Sequence, residues 1–149
     1  MKLILIIVGV AAFLLASVVA LLVGSVFALT RPVVDASEQF LALVGEGRIG
    51  EAYASTADGF KARQDEASFT AAVARLGLAD YATVAWHSRQ IENGDGSADG
   101  TVTTKTGETR PVAVRLVHRD GRWAVIGVRY GGMDLTSSDV SSTSHPEGW

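Results

Sequence analysis

The side chains in this chain that could do acid–base or anion chemistry are Tyr53, Asp58, His87 and Arg115, and no local motif connects them. Tyr53 fits a core aromatic with its hydroxyl at a rim. His87 follows Trp86 in an alternating segment, so the two fall on opposite strand faces. Arg115 interrupts an otherwise apolar run. It either pairs with a carboxylate across a sheet or a dimer seam, or holds an anionic ligand. Metal chemistry has little support, because His87, His118 and His145 are isolated and no His or acidic neighbour stands at ligand spacing. The stretch Asn93-Gly94-Asp95-Gly96 reads as a hairpin turn rather than a phosphate loop, since it lacks a lysine and a following helix. Serine nucleophile motifs are also missing, and no cofactor is implied.

Composition narrows the partners. The 149 residues carry 13 Lys+Arg against 16 Asp+Glu, a net charge of −3. Asp134, Asp139 and Glu147 lie in the segment from Gly131, which has no Lys or Arg, so the body of the chain is neutral. Nucleic-acid binding needs a basic surface to displace counterions, and a neutral body argues against it. There is no cysteine. Disulfides, thiol chemistry and cysteine-linked lipid anchors are thereby excluded, and the chain suits an oxidising compartment.

These residues must be positioned by elements of two kinds. Val33, Ala36, Phe40, Leu41 and Val44 follow helical spacing, with Gly45 and Gly47 at the end. A short helix is expected over Ile49–Ser55, a break at Asp58-Gly59, and a third helix over Glu66–Leu76 between a cap at Asp65 and a stop at Gly77. After Asp80 the period becomes two. Strands are expected at Thr83–Glu92, Ala98–Thr104, Arg110–His118 and Trp123–Tyr130, joined by Gly-containing turns. Short connectors between successive strands imply an antiparallel meander, and helices followed by a sheet make an α+β domain. The last two strands are apolar on both faces, which three helices cannot cover, so a homodimer is expected to hide the second face. Beyond Tyr130 the Ser- and Thr-rich segment 131–149 is expected to be a disordered tail.

Ahead of this domain lies Leu3–Leu29, free of charged, amide and proline residues. It is longer than the roughly 20 helical residues that a ~30 Å hydrocarbon core requires. A cleaved signal peptide has an apolar core of only about 7–15 residues, so a retained signal anchor over residues 1–30 is favoured, although Val26-Phe27-Ala28 could be cut. Thr30-Arg31-Pro32 is expected to end the segment. Lys2 and the short N-terminal flank place the following domain outside the cytoplasm by the positive-inside rule. Ala12, Ala16, Ala20 and Gly24 recur every four residues, a spacing that lets two membrane helices pair.

The order of elements resembles the NTF2-like (cystatin-like α+β cone) superfamily, in particular its small membrane-anchored bacterial families of unknown function. The resemblance is carried by Gly47-Arg48-Ile49-Gly50-Glu51-Ala52-Tyr53, Phe60-Lys61, Phe69 with Val73, Trp86 and Arg89. It continues through Gly100-Thr101-Val102, Gly107, Pro111-Val112 and Gly121-Arg122-Trp123-Ala124-Val125. It implies a cone over residues 31–130, about three helices packed on a four-stranded curved antiparallel sheet, with a pocket between them. Enzymes of the superfamily use a buried Asp or His as base and a Tyr or acid at the oxyanion, so Tyr53, Asp58, Trp86, His87 and Arg115 become the pocket candidates. The fold hosts enzymes and binders alike. The favoured expectation is a membrane-anchored, non-catalytic module at the extracytoplasmic face, taking an envelope protein or a small ligand. The alternative is a small lyase, cyclase or isomerase working in the cone.

Overall fold

The computed structural model describes residues 30–136 and the pair Ala16–Ser17. The chain forms an α+β domain. Helix α1 covers 30–45, followed by α2 (Ile49–Ala54), α3 (Asp58–Arg63), α4 (Glu66–Leu76) and a 3-10 turn at Leu78–Asp80. A five-stranded antiparallel sheet follows in the order β1 (Tyr81–Glu92), β2 (Asp95–Thr104), β3 (Thr109–Arg119), β4 (Arg122–Tyr130) and β5 (Met133–Asp134).

Local chemistry explains these boundaries. Asp65 accepts a hydrogen bond from the Ser68 amide at 2.7 Å and starts α4, and Gly77 ends it with φ 73°. Asn93-Gly94 and Asp120-Gly121 each have positive φ at both residues, which matches the right-handed twist of the strands they join. Three expectations are corrected. Asp58-Gly59 opens α3 instead of breaking the chain: Asp58 stands in its first turn, Lys61 and Arg63 in its last, and Phe60 is fully buried. Thr30-Arg31-Pro32 lies within α1 rather than marking a break. A proline removes one donor without unwinding the following turns, and Val33, Phe40, Leu41 and Val44 hold those turns on the sheet. The folded part also passes Tyr130, because Met133–Asp134 pairs with β4 and Leu135 is buried.

The helices cover one face of the sheet. Val102, Val112, Val114, Leu116, Val125, Val128 and Tyr130 meet Val33, Phe40, Leu41, Phe60, Phe69, Val73 and Leu76 in a single core. Phe60 and Phe69 pack edge to face at 5.6 Å, and Tyr53 lies 5.7 Å from Phe69. The outer edge of β4 is closed by its own chain. Leu135 donates to Val128 O and Ala57 to Val125 O, each at 2.8 Å, and the Arg63 guanidinium donates to Ile126 O. On the opposite face, Val117 and Ala124 pack with Ala57 and Ile126. The apolar residues that motivated a second subunit are thus partly covered by this chain, and a homodimer loses much of its reason.

Helix α1 runs antiparallel to β1. A Cβ on Gly96 would lie 2.8 Å from Val33, near the start of α1; Trp86 Nε1 donates to Glu38 Oε1 at 2.9 Å; and a Cβ on Gly45 would lie 2.9 Å from Tyr81 O. Lys105 Nζ donates to Gly45 O at 3.0 Å and to Ala79 O at 3.3 Å, capping the far end. Among the described residues no helix is long and apolar enough to cross a membrane. Apart from Ala16, Ser17 and Thr30, which are helical, the expected anchor and its pairing positions Ala12, Ala20 and Gly24 lie outside the described residues, as does 137–149 of the expected tail.

Candidate functional site

The five sequence candidates do not converge. Tyr53 sits on α2 with its ring in the aromatic cluster, and its hydroxyl donates to Gln64 O at 2.8 Å. Asp58 is exposed at the start of α3. Trp86 is half-buried on the helix side of β1, where its ring lies over Gly100: a Cβ there would be 3.0 Å from Trp86 Cε3 and 2.5 Å from Ala85 O. His87 is the extra residue of a bulge between Trp86 and Ser88. Its ring is exposed and its Nε2 shares a hydrogen bond with Thr101 Oγ1 at 2.8 Å. Arg115 is on the outer face of β3. A base, a phenol and a cation therefore stand in separate places. Between the helices and the sheet, the volume where a cone pocket was expected is occupied by Phe40, Phe60, Phe69, Leu116 and Tyr130, all nearly or fully buried.

A different site is built around Arg115. On the outer face, the strand register lays residues out in rows. One row reads Asp99, Ala113, Arg129 and Asp134 across β2 to β5; the next reads Ser97, Arg115 and Gly127 across β2 to β4. Arg115 and Arg129 are therefore diagonal neighbours on adjacent strands, close enough for both to reach one ligand group. The residues directly opposite them across the β3–β4 pair, Gly127 and Ala113, are the smallest available. Between the two arginines the sheet backbone is left low, and a cavity of about 520 Å³ opens there. Gly59 and Arg63 of α3, together with Ile126, form one wall.

Hydrogen bonding sorts the charges in this groove. Arg63 is spent on backbone, with Nε donating to Gly59 O at 3.1 Å and a further bond to Ile126 O. Asp134 accepts from the amide and hydroxyl of Thr136 at 2.8 and 2.6 Å. Arg115 and Arg129 are exposed and form no ion pair with a described residue. Among the described residues no carboxylate pairs with Arg115 across the sheet: its direct cross-strand neighbours are Ser97 and Gly127, and the diagonal Asp99 forms no ion pair with it. What the arrangement offers is two available guanidiniums over a smooth floor, suited to a carboxylate or phosphate oxygen pair. Arg129 was missed in the sequence. Its alternation with Gly127 in β4, matched to Ala113 and Arg115 in β3, is the signal that could have found it.

Two phenols sit apart from this groove and are shifted by burial. The Tyr130 hydroxyl is pushed up, first by desolvation, and has no hydrogen-bond partner among the described residues. The Tyr81 hydroxyl is raised by desolvation and then by Glu38. Neither faces Arg115. Among the described residues no group of three acidic or histidine side chains is placed to hold a metal.

No family model and no curated protein matches the chain. Among solved structures, the phospholipid-binding protein from Ralstonia solanacearum in complex with a phospholipid is similar at a TM-score of 0.48 and 15% identity, over 72% of this chain and 80% of that one. A likeness of that degree carries no argument about this chain's ligand.

Proposed function

We propose that this chain is a membrane-anchored, NTF2-like module that binds an anionic group in the groove between Arg115 and Arg129. The observation that carries the reading is the contrast in occupancy. The space between helices and sheet is filled by buried side chains, whereas the outer face holds an open cavity with two guanidiniums that form no ion pair with a described residue. The NTF2-like assignment is supported by an antiparallel meander with a helical layer on one face and α3 at the β4 edge. The anchor is supported by the length and composition of Leu3–Leu29, and the extracytoplasmic placement of the domain by Lys2 under the positive-inside rule. The catalytic alternative required Asp58 or His87 beside Tyr53. Tyr53 is bonded to Gln64 and His87 to Thr101, so the geometry lends that alternative no support.

Titration of the full-length protein in lipid nanodiscs with phenyl phosphate and with benzoate, read on the arginine side-chain NMR signals, tests the binding site. The proposal expects shifts at Arg115 and Arg129. Shifts at Tyr53 and Trp86 instead, or none at the two arginines, would contradict it.

A further inference from the structure

We infer that the end of the domain bearing the β1–β2 and β3–β4 turns rests on the lipid headgroups of the membrane that holds Leu3–Leu29; this rests on the anchor reading above. The direction of α1 decides it. Val33 lies against Gly96, Glu38 bonds Trp86 and Gly45 meets Tyr81, so moving toward the start of α1 means moving along the sheet toward those two turns. The chain is already helical at residue 30, immediately after the apolar run. From Val33 back to Thr30, the residue after the apolar run, is about 4.5 Å of helical rise. From Gly96 to Gly94, or from Trp123 to Gly121, is two strand residues, or about 7 Å. Both turns therefore reach past the level of Thr30, the first described residue after the apolar run. The His118 amide donates to Gly94 O at 2.8 Å, tying the two turns into one surface.

The chemistry of that surface selects the lipid. Arg119 and Arg122 are exposed beside the carboxylates of Glu92, Asp95 and Asp120, and none of the five forms an ion pair with a described residue. Guanidiniums suit headgroup phosphates, and carboxylates suit headgroup ammonium groups. Such a mixed surface fits zwitterionic phospholipid; a strongly anionic one would be repelled by the three carboxylates. Trp123, half-buried and 5.1 Å from the His118 ring, stands where an aromatic is favoured at an interface. At the opposite end, the β2–β3 turn is separated by the length of β2, about 30 Å for its strand residues.

The chain has no cysteine, so single reporters are clean. Spin labels at Glu92→Cys, Arg122→Cys and, as the distant control, Glu108→Cys are placed in the full-length protein. Each variant is reconstituted in zwitterionic phospholipid vesicles doped with a nickel-chelating lipid. Strong relaxation by the headgroup nickel is expected at positions 92 and 122, with little at 108. Equal relaxation at all three, or none at 92 and 122 in protein that floats with the vesicles, would overturn the headgroup contact while leaving the anchor intact. Protein that fails to float overturns both.

Discussion

On the inner face of the sheet, Val102, Val112, Val114, Leu116, Val125 and Val128 are no more than 3% exposed and meet the helices. On the outer face of the same strands, Ser97, Asp99, Arg115 and Arg129 surround an open groove. Only the alternation of side chains along a strand separates the two environments. The difference divides the work: the inner face holds the domain together, and the outer face is free to carry charges that a core could not accommodate. Small residues matter on both sides, for different reasons. Gly96 and Gly100 let Val33, Trp123 and Trp86 come close on the inner side, while Gly127 and Ala113 keep the outer groove open.

Substitutions on each face should separate these roles. The largest effect is expected for Phe69→Ala, which removes the ring packed against Phe40, Tyr53 and Phe60; a loss of about 3–5 kcal/mol should appear in urea unfolding. Gly100→Ala should cost about 1–3 kcal/mol, because a Cβ would stand 2.5 Å from the Ala85 carbonyl oxygen and the β1–β2 pair would have to shift. Tyr130→Phe should leave stability unchanged or raise it by about 1 kcal/mol, since its buried hydroxyl has no partner among the described residues; a loss would reveal one. The smallest effect concerns the cap of α4. Asp65 is held below its ordinary carboxylate range by the Ser68 backbone hydrogen bond. Its contribution is therefore present above the unfolded pKa, about 3.9, and is lost as pH falls through the lower folded value. Asp65→Asn should flatten that part of an acid unfolding profile.

Much of this fold was legible because local signals agreed. Asp65 and Gly77 bounded α4, and Asn93-Gly94 and Asp120-Gly121 set the hairpins, each through backbone chemistry confined to a few residues. The helix at Asp58–Arg63 was not legible, since Asp-Gly usually marks a turn and the burial of Phe60 that stabilises the helix is a tertiary effect. The strand at Met133–Asp134 and the burial of Leu135 were hidden for the same reason. The site was only half readable. Arg115 stood out in its apolar strand, but its relation to Arg129 depends on the β3–β4 register, which shifts at a bulge between Arg115 and Leu116. Tyr53, Asp58, Trp86 and His87 were proposed for an interior pocket, and that interior is filled.

The division between the two faces is tested most directly by measuring phenyl phosphate binding and urea unfolding on the same Arg115→Gln, Arg129→Gln double variant. Both side chains are exposed and form no ion pair with a described residue, so the unfolding midpoint should stay within the change of about 0.5 kcal/mol typical of surface substitutions. Binding should be lost. Retained binding with an unchanged midpoint would contradict the outer-face site.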